Sequence, residues 1–298
     1  MPQRSFILGS EWLYYKIYLG AKTADIFLTQ TMLPLVVELK QKKLIKKWFF
    51  IRYADPGLHL RIRFLVDNTE HIGNIVDLFF QEMRPWLNTD LIWKVQADTY
   101  NRELERYGTN TIALSETIFW YYSETTLHFL DMIEGEEGEK LRWLFGLRSI
   151  DTLLNAFDYE LQEKLVLLDG LRISFGREFN MARPLKKQLD AKFRKERGSI
   201  EHFMALTEFN ASDYAPIWGI LQRFHNNLER IAHQILEIER NGQLQMRKNY
   251  LLGSHIHMLM NRLFKSKNRL NEMVCYDFLF RYYKTALAKN KVKPPTAI

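Results

Sequence analysis

The sequence predicts an α+β chain in which an N-terminal antiparallel sheet is braced by a mainly helical C-terminal half. Three features point there. β-type and helical segments alternate over residues 10–100, two apolar runs flank the turn Ala54-Asp55-Pro56-Gly57, and from Thr111 onward apolar residues recur at helical spacing.

Residues 12–19, WLYYKIYL, are rich in aromatic and β-branched side chains and read as a strand. Thr23 or Asp25 can open the next segment, ADIFLTQTMLPLVVELKQKK, whose apolar spacing is helical and in which Pro34 marks a kink or junction. KWFFIRY and LHLRIRFLV follow as the two arms of a hairpin, because Asp-Pro-Gly supplies turn geometry between them. In TEHIGNIVDLFFQEMRPWL, Ile72, Ile75, Val76, Phe79 and Phe80 recur at helical spacing, and LIWKVQADTY closes as a last strand. The resulting order, β-α-β-β-α-β, is the ferredoxin-like arrangement, with both helices on one sheet face and the other face left open. Strand alternation puts His59, Arg61 and Arg63 on one face, with Trp12, Tyr14, Lys16 and Tyr18 on the first strand and Lys94, Gln96 and Asp98 on the last. That face is aromatic, wet and cationic.

The helical half begins with SETIFWYYSETTLHFLDMI and GEKLRWLFGLRSIDTLLNAF and continues in weaker helices to about Arg197. Ile217, Leu221, Phe224, Leu228, Ile231, Ile235 and Ile238 form a heptad-like stripe, which reads as one long helix packed in a bundle. A last pair, LQMRKNYLLGSHIHMLMNRLF and NEMVCYDFLFRYYKTALA, ends in the polar tail KNKVKPPTAI, expected to be loose. With no repeat or low-complexity linker, a single domain over residues 1–298 is expected, with a sheet part at 10–108 and a helical part at 109–290.

Composition narrows the function. A net charge of +7 suggests an acidic partner such as a peptide, a carboxylate substrate or a nucleic acid, while Lys40, Lys42, Lys43, Lys46 and Lys47 read as a solvated helix end and turn. The start has no basic head before a long apolar run, so no signal peptide or membrane span is indicated and a cytoplasmic protein is expected. The single cysteine, Cys275, rules out an internal disulfide, and its apolar surroundings MVCYDFLF suggest a buried structural thiol. GxGxxG, GxxxxGK[ST], HExxH and GxSxG are absent, and the hairpin does not match the aromatic RNA-binding pattern, so no direct nucleic-acid binding is expected. His255 and His257 lie roughly 200° apart around a helix and cannot chelate one metal from it.

Three clusters remain: the hairpin with Arg52, His59, Arg61 and Arg63; YNRELERYG with Glu103, Arg106 and Tyr107; and SHIHMLMNRLF with His257, Asn261 and Arg262. Guanidiniums suit developing negative charge, and a histidine suits proton removal near neutral pH. In their order and separations, WFFIRYADPGLHLRIRF, ERYG and SHIHMLMNRLF resemble the C-terminal glutamate-elimination domain of class I lantibiotic dehydratases, also found free-standing in lanthipeptide and thiopeptide-type bacteriocin clusters. The resemblance covers nearly the whole chain. It implies a lyase that removes glutamate from glutamylated Ser or Thr of a ribosomal precursor peptide, giving dehydroalanine or dehydrobutyrine without a cofactor or metal.

Carried over by position, the resemblance makes His257 the acid/base group and Arg106 an anion clamp, with Glu103 orienting a guanidinium or relaying a proton; Arg61 and Arg63 are implied as catalytic with them, and which of the hairpin arginines Arg52, Arg61 and Arg63 touches the leaving glutamate is left open. Arg52, His59, Tyr107, Asn261 and Arg262 are implied around the substrate. Without it, His257 reads as an ordinary core histidine, and Arg61 and Arg63 as the solvated face of a hairpin. Two departures stand out. Thr109 follows ERYG where the family commonly has a second glycine, and the large glutamylation region is lacking, which implies a separate glutamylating protein that uses glutamyl-tRNA. Assembly as a homodimer is left open. Rival readings are a thiopeptide-type cycloaddition enzyme that forms a pyridine, and a non-catalytic subunit that binds the leader peptide on a sheet edge.

Overall fold

The computed structural model describes residues 2–179 and 182–292. Its first part runs β1 (Ser5–Phe6), β2 (Trp12–Leu19), α1 (Ala21–Phe27), α2 (Leu33–Gln41), β3 (Ile45–Tyr53), β4 (His59–Val66), α3 (Ile72–Asn88), β5 (Ile92–Ala97) and β6 (Tyr100–Asn101). Helices follow: α4 (Leu104–Tyr107), α5 (Ile112–Leu130), α6 (Gly135–Ala156), α7 (Leu161–Glu178), α8 (Arg183–Met204), α9 (Ala215–Arg240), α10 (Lys248–Leu263) and α11 (Asn268–Val292). Lys289–Val292, the start of the expected loose tail, continue α11, and the rest of that tail lies outside the described residues. A π-helical turn, Leu28–Met32, joins α1 to α2, and Pro34 sits in the first turn of α2, directly after that irregular turn.

Two compact units emerge, one formed by residues 1–132 with 234–266 and the other by 133–233 with the residues from 267 onward. The helical part expected from residue 109 is therefore divided, since α5 and α10 belong with the sheet.

In the first unit four antiparallel strands lie in the order β3-β4-β2-β5. Leu13, Tyr15 and Ile17 stand opposite Phe64, Ile62 and Leu60 on one face, which packs on the helices; Tyr15 stacks on Phe79 of α3 with ring centroids 4.4 Å apart. The other face carries three cross-strand rows: Phe49, Arg63 and Tyr14; Ile51, Arg61, Lys16 and Gln96; Tyr53, His59, Tyr18 and Lys94. This is the face that alternation assigned to the cations. It is less open than expected, because Phe119 of α5 and Tyr100 of β6 pack on Phe49 and bury the Arg63 end.

Buried polar contacts hold this cover in place. Glu116 of α5 accepts two hydrogen bonds from Arg102, at 2.6 and 2.7 Å, and one from the Tyr100 hydroxyl at 2.8 Å. Along β3, the Phe50 N–H donates to Ser123 of α5, while Asn261 of α10 accepts from the Arg52 N–H and donates to the Arg52 carbonyl, both at 2.9 Å. The strand edge is thus completed by side chains.

In the second unit α7 and α11 pack along each other, and buried Asp151 accepts from Lys164 at 2.9 Å and Tyr283 at 2.7 Å. Cys275 is buried there, and burial pushes its thiol up to about 12, as suits an unreactive structural residue. The heptad stripe forms the buried side of α9, with Ile238 only half-buried.

The Glu116 network is open to a direct stability test. Replacing Glu116 by Ala leaves the Arg102 guanidinium without its partner, and chemical denaturation should show a loss of about 3 to 5 kcal/mol. Lys42→Ala, on an exposed i,i+4 pair with Glu38, should change stability by less than about 0.5 kcal/mol.

Candidate active site

A cavity of about 500 Å³ opens on the cationic face of the sheet. Six residues singled out in the sequence line it: Arg61, Arg63, Glu103, Arg106, His257 and Asn261. They come from β4, the segment through α4, and α10. The ERYG turn needs its glycine, for Gly108 has φ +75° and a Cβ there would stand 2.7 Å from Met246. Thr109 needs no such freedom; its N–H donates to Gln245 at 2.7 Å, pinning the loop in place of a second glycine.

Arg61 and Arg63 are held by rings. The Arg61 guanidinium lies 3.4 Å from the Tyr53 ring centroid, and that of Arg63 lies 4.4 and 4.7 Å from Tyr14 and Tyr100. Among the described residues no carboxylate pairs with either, whereas Lys16 pairs with Asp98 and Arg106 with Glu103 at 3.2 Å. Arg63 is only 7% exposed, and its Nε has no hydrogen-bond partner among the described residues. Burial pulls this guanidinium below its ordinary pKa. Burying an unpaired ion costs several kcal/mol, of which a desolvated cation–π contact returns about 2, so an anion entering the cavity would be drawn to Arg63 and to Arg61 beside it.

His59 does not reach the cavity. Arg61 Nε donates to His59 Nε2 at 3.1 Å, so the ring proton resides on Nδ1, which donates to the Gly57 carbonyl at 2.7 Å. Burial lowers the His59 pKa, and the nearby Arg61 charge adds to the effect while the Gly57 bond opposes it. A neutral His59 therefore orients Arg61.

Arg52 also stands apart, for a reason of parity. It lies opposite Leu60, on the helix-covered face, where it binds Asp25 at 2.6 Å and the Arg262 carbonyl at 2.9 Å. Arg262 is fully buried beneath Phe119 and Tyr122, with its Nε on Ser123, and burial pulls it down to about 9. Tyr107 is buried against Phe119 and lines a smaller adjoining hollow of about 40 Å³. These three residues support the site from behind. Asn261 lines the cavity while its carboxamide clamps Arg52's backbone.

Sequence reasoning left Tyr14, Lys16, Tyr53 and Asp98 out of the site, although strand alternation had placed Tyr14, Lys16 and Asp98 on the right face. Tyr53 could have been found the same way, one cross-strand neighbour from His59. His255 and His257 part ways, as their spacing requires: His257 lines the cavity, and His255 is buried among Tyr107, Phe119 and Tyr122. Among the described residues no group of three His, Cys, Asp or Glu is placed to hold a metal, and no helix is long and apolar enough to cross a membrane.

Residues 12–283 match the family model for the C-terminal region of lantibiotic biosynthesis dehydratases. The chain belongs to this family. It is 24% identical over 282 residues to the nisin biosynthesis protein NisB of Lactococcus lactis subsp. lactis, covering 93% of this chain and 26% of NisB. The subtilin biosynthesis protein SpaB of Bacillus subtilis is 20% identical, over 89% of this chain and 25% of SpaB. The chain thus spans about a quarter of the length of these curated relatives. Among solved structures, the tRNA dependent lantibiotic dehydratase MibB from Microbispora sp. 107891 is similar with TM-score 0.74 and 19% identity, over 98% of this chain and 29% of MibB. The pyridine synthase TbtD from thiomuracin biosynthesis is similar with TM-score 0.64 and 13% identity, over 93% of this chain and 100% of TbtD.

Burial holds His255 down to about 3, with the Arg262 charge adding to the effect. The folded state therefore binds fewer protons than the unfolded chain between about pH 6.5 and 3. The contribution of neutral His255 is full above pH 6.5 and falls by about 1.4 kcal/mol per pH unit below it. The difference in urea stability between wild type and His255→Leu should follow that slope, and should be flat above pH 7.

Proposed function

We propose that this chain eliminates glutamate from glutamylated Ser or Thr residues of a ribosomal precursor peptide, with glutamylation supplied by a separate protein that uses glutamyl-tRNA. The observation that carries this reading is the pair of carboxylate-free guanidiniums, Arg61 and Arg63, on the same cavity as His257 and Arg106. The chemistry forms two negative charges in turn, on the carbonyl oxygen of the carbanion and on the departing carboxylate, and arginines held in place beforehand stabilise both.

In this mechanism His257 takes the Cα proton. The C–H electron pair becomes the Cα=Cβ bond as the Cβ–O bond breaks, and glutamate leaves with the ester oxygen as its carboxylate. Glu103 keeps Arg106 oriented at 3.2 Å, and His59 keeps Arg61 oriented. The family membership and the order β3-β4-β2-β5 within a β-α-β-β-α-β chain support reading the sheet as ferredoxin-like.

The test is mass spectrometry of a chemically glutamylated precursor peptide incubated with the protein. Wild type should release glutamate and leave a dehydrated residue. His257→Ala should lose roughly 10² to 10⁴ in rate, and Arg61→Ala or Arg63→Met roughly 10² to 10³, with peptide binding retained. An adduct that persists in wild type despite binding would replace this reading with a ring-forming or purely peptide-binding role.

A further inference from the structure

A four-stranded sheet has two edges, and this protein treats them differently. On β3 side chains take outward backbone groups: the Phe50 N–H donates to Ser123, and Asn261 pairs with both the N–H and the C=O of Arg52. On β5 they are not. The Asp98 N–H donates to the Tyr14 carbonyl at 3.0 Å, and Gln96 lies opposite Lys16, so the even-numbered residues here face β2. The backbone N–H and C=O groups of Val95 and Ala97 therefore point away from the sheet. Among the described residues no strand or side chain bonds to them. Proteins usually cover or blunt such an edge, as this one does on β3, because it invites another strand.

We propose that the substrate peptide adds to β5 as a further strand, pairing with Val95 and Ala97, and that this places its modified residue in the cavity. Two observations select a peptide serving that site. The first is continuity: the chain passes from Ala97 directly into Asp98 and Thr99, which line the cavity with Arg61, Arg106 and His257. A strand laid along β5 ends there. The second is apolar exposure. Trp93 of β5 is 57% exposed, and on α3, which packs against β5, the exposed Val76, Phe80 and Leu87 fall within about 40° around the helix. Trp93 stands on the unpaired strand itself, and an exposed apolar group there suits a side chain of an extended peptide, whose backbone supplies affinity without demanding one sequence.

This inference rests on the elimination reading for its substrate, so binding and turnover are measured separately. Val95→Pro removes one outward N–H and leaves every bond to β2, the position where an edge strand tolerates proline. Anisotropy of a labelled precursor peptide should show roughly tenfold weaker binding, matching the loss of about one good hydrogen bond. The KM for elimination from that peptide should rise, while a glutamylated serine derivative too short to span the edge should react as with wild type. In unaltered protein, the peptide should slow hydrogen exchange at the Val95 and Ala97 amides, a readout that does not depend on the variant folding. Unchanged exchange at these amides would overturn the proposal even if elimination is seen, and so would protection that arises only from a β5-to-β5 dimer formed without peptide. Protection by the peptide with no elimination would leave the edge site standing and overturn the reading of the chemistry.

Discussion

The carboxamide of Asn261 grips both backbone groups of Arg52, and the candidate site depends on that contact. It substitutes for a neighbouring strand at the edge of β3 and fixes a helix against a sheet more than two hundred residues earlier in the chain. His257 lies four residues before Asn261, one helical turn away, so the clamp also sets where His257 meets the cavity that Arg61 and Arg63 line. Arg262, the next residue, locks the joint from inside through Ser123 and the Arg52 side chain.

Electrostatics explains why rings rather than carboxylates hold the two central arginines. A carboxylate partner would neutralise each guanidinium and compete with an incoming anion. Tyr14, Tyr53 and Tyr100 hold the cations in place through their faces without neutralising them. The carboxylates that are present are already engaged, Asp98 by Lys16 and Glu103 by Arg106. The cavity is left with positive charge at its centre and paired charge at its rim.

The fold alone does not choose a reaction, since both a lantibiotic dehydratase and a pyridine synthase have structures similar to this chain. What separates readings is the set of side chains presented to the cavity. A guanidinium pair beside a histidine matches proton removal coupled to departure of a carboxylate.

Much of this was legible in the sequence because it rests on local rules. Strand alternation placed His59, Arg61, Arg63, Tyr14, Lys16 and Asp98 on one face, the Asp-Pro-Gly turn set the hairpin, and the heptad stripe set the buried side of α9. What alternation does not specify is which strands become neighbours and what covers them. Arg52 sits in the same hairpin as Arg61 but on the opposite face, because the cross-strand register places it against Leu60. His59 shares the face of Arg61, yet burial and the Gly57 carbonyl turn it into a support for that arginine. Tyr107 and Arg262 flank the cavity-lining Arg106 and Asn261 in their motifs and are nonetheless interior, since the helical period rotates successive residues by about 100°. The sequence by itself determined the strands, the helices and the chemical character of each face, all consequences of side-chain period and turn chemistry. Only the tertiary structure decided which cations lack a carboxylate partner and which polar residues serve as scaffold, because both depend on contacts between segments far apart in the chain.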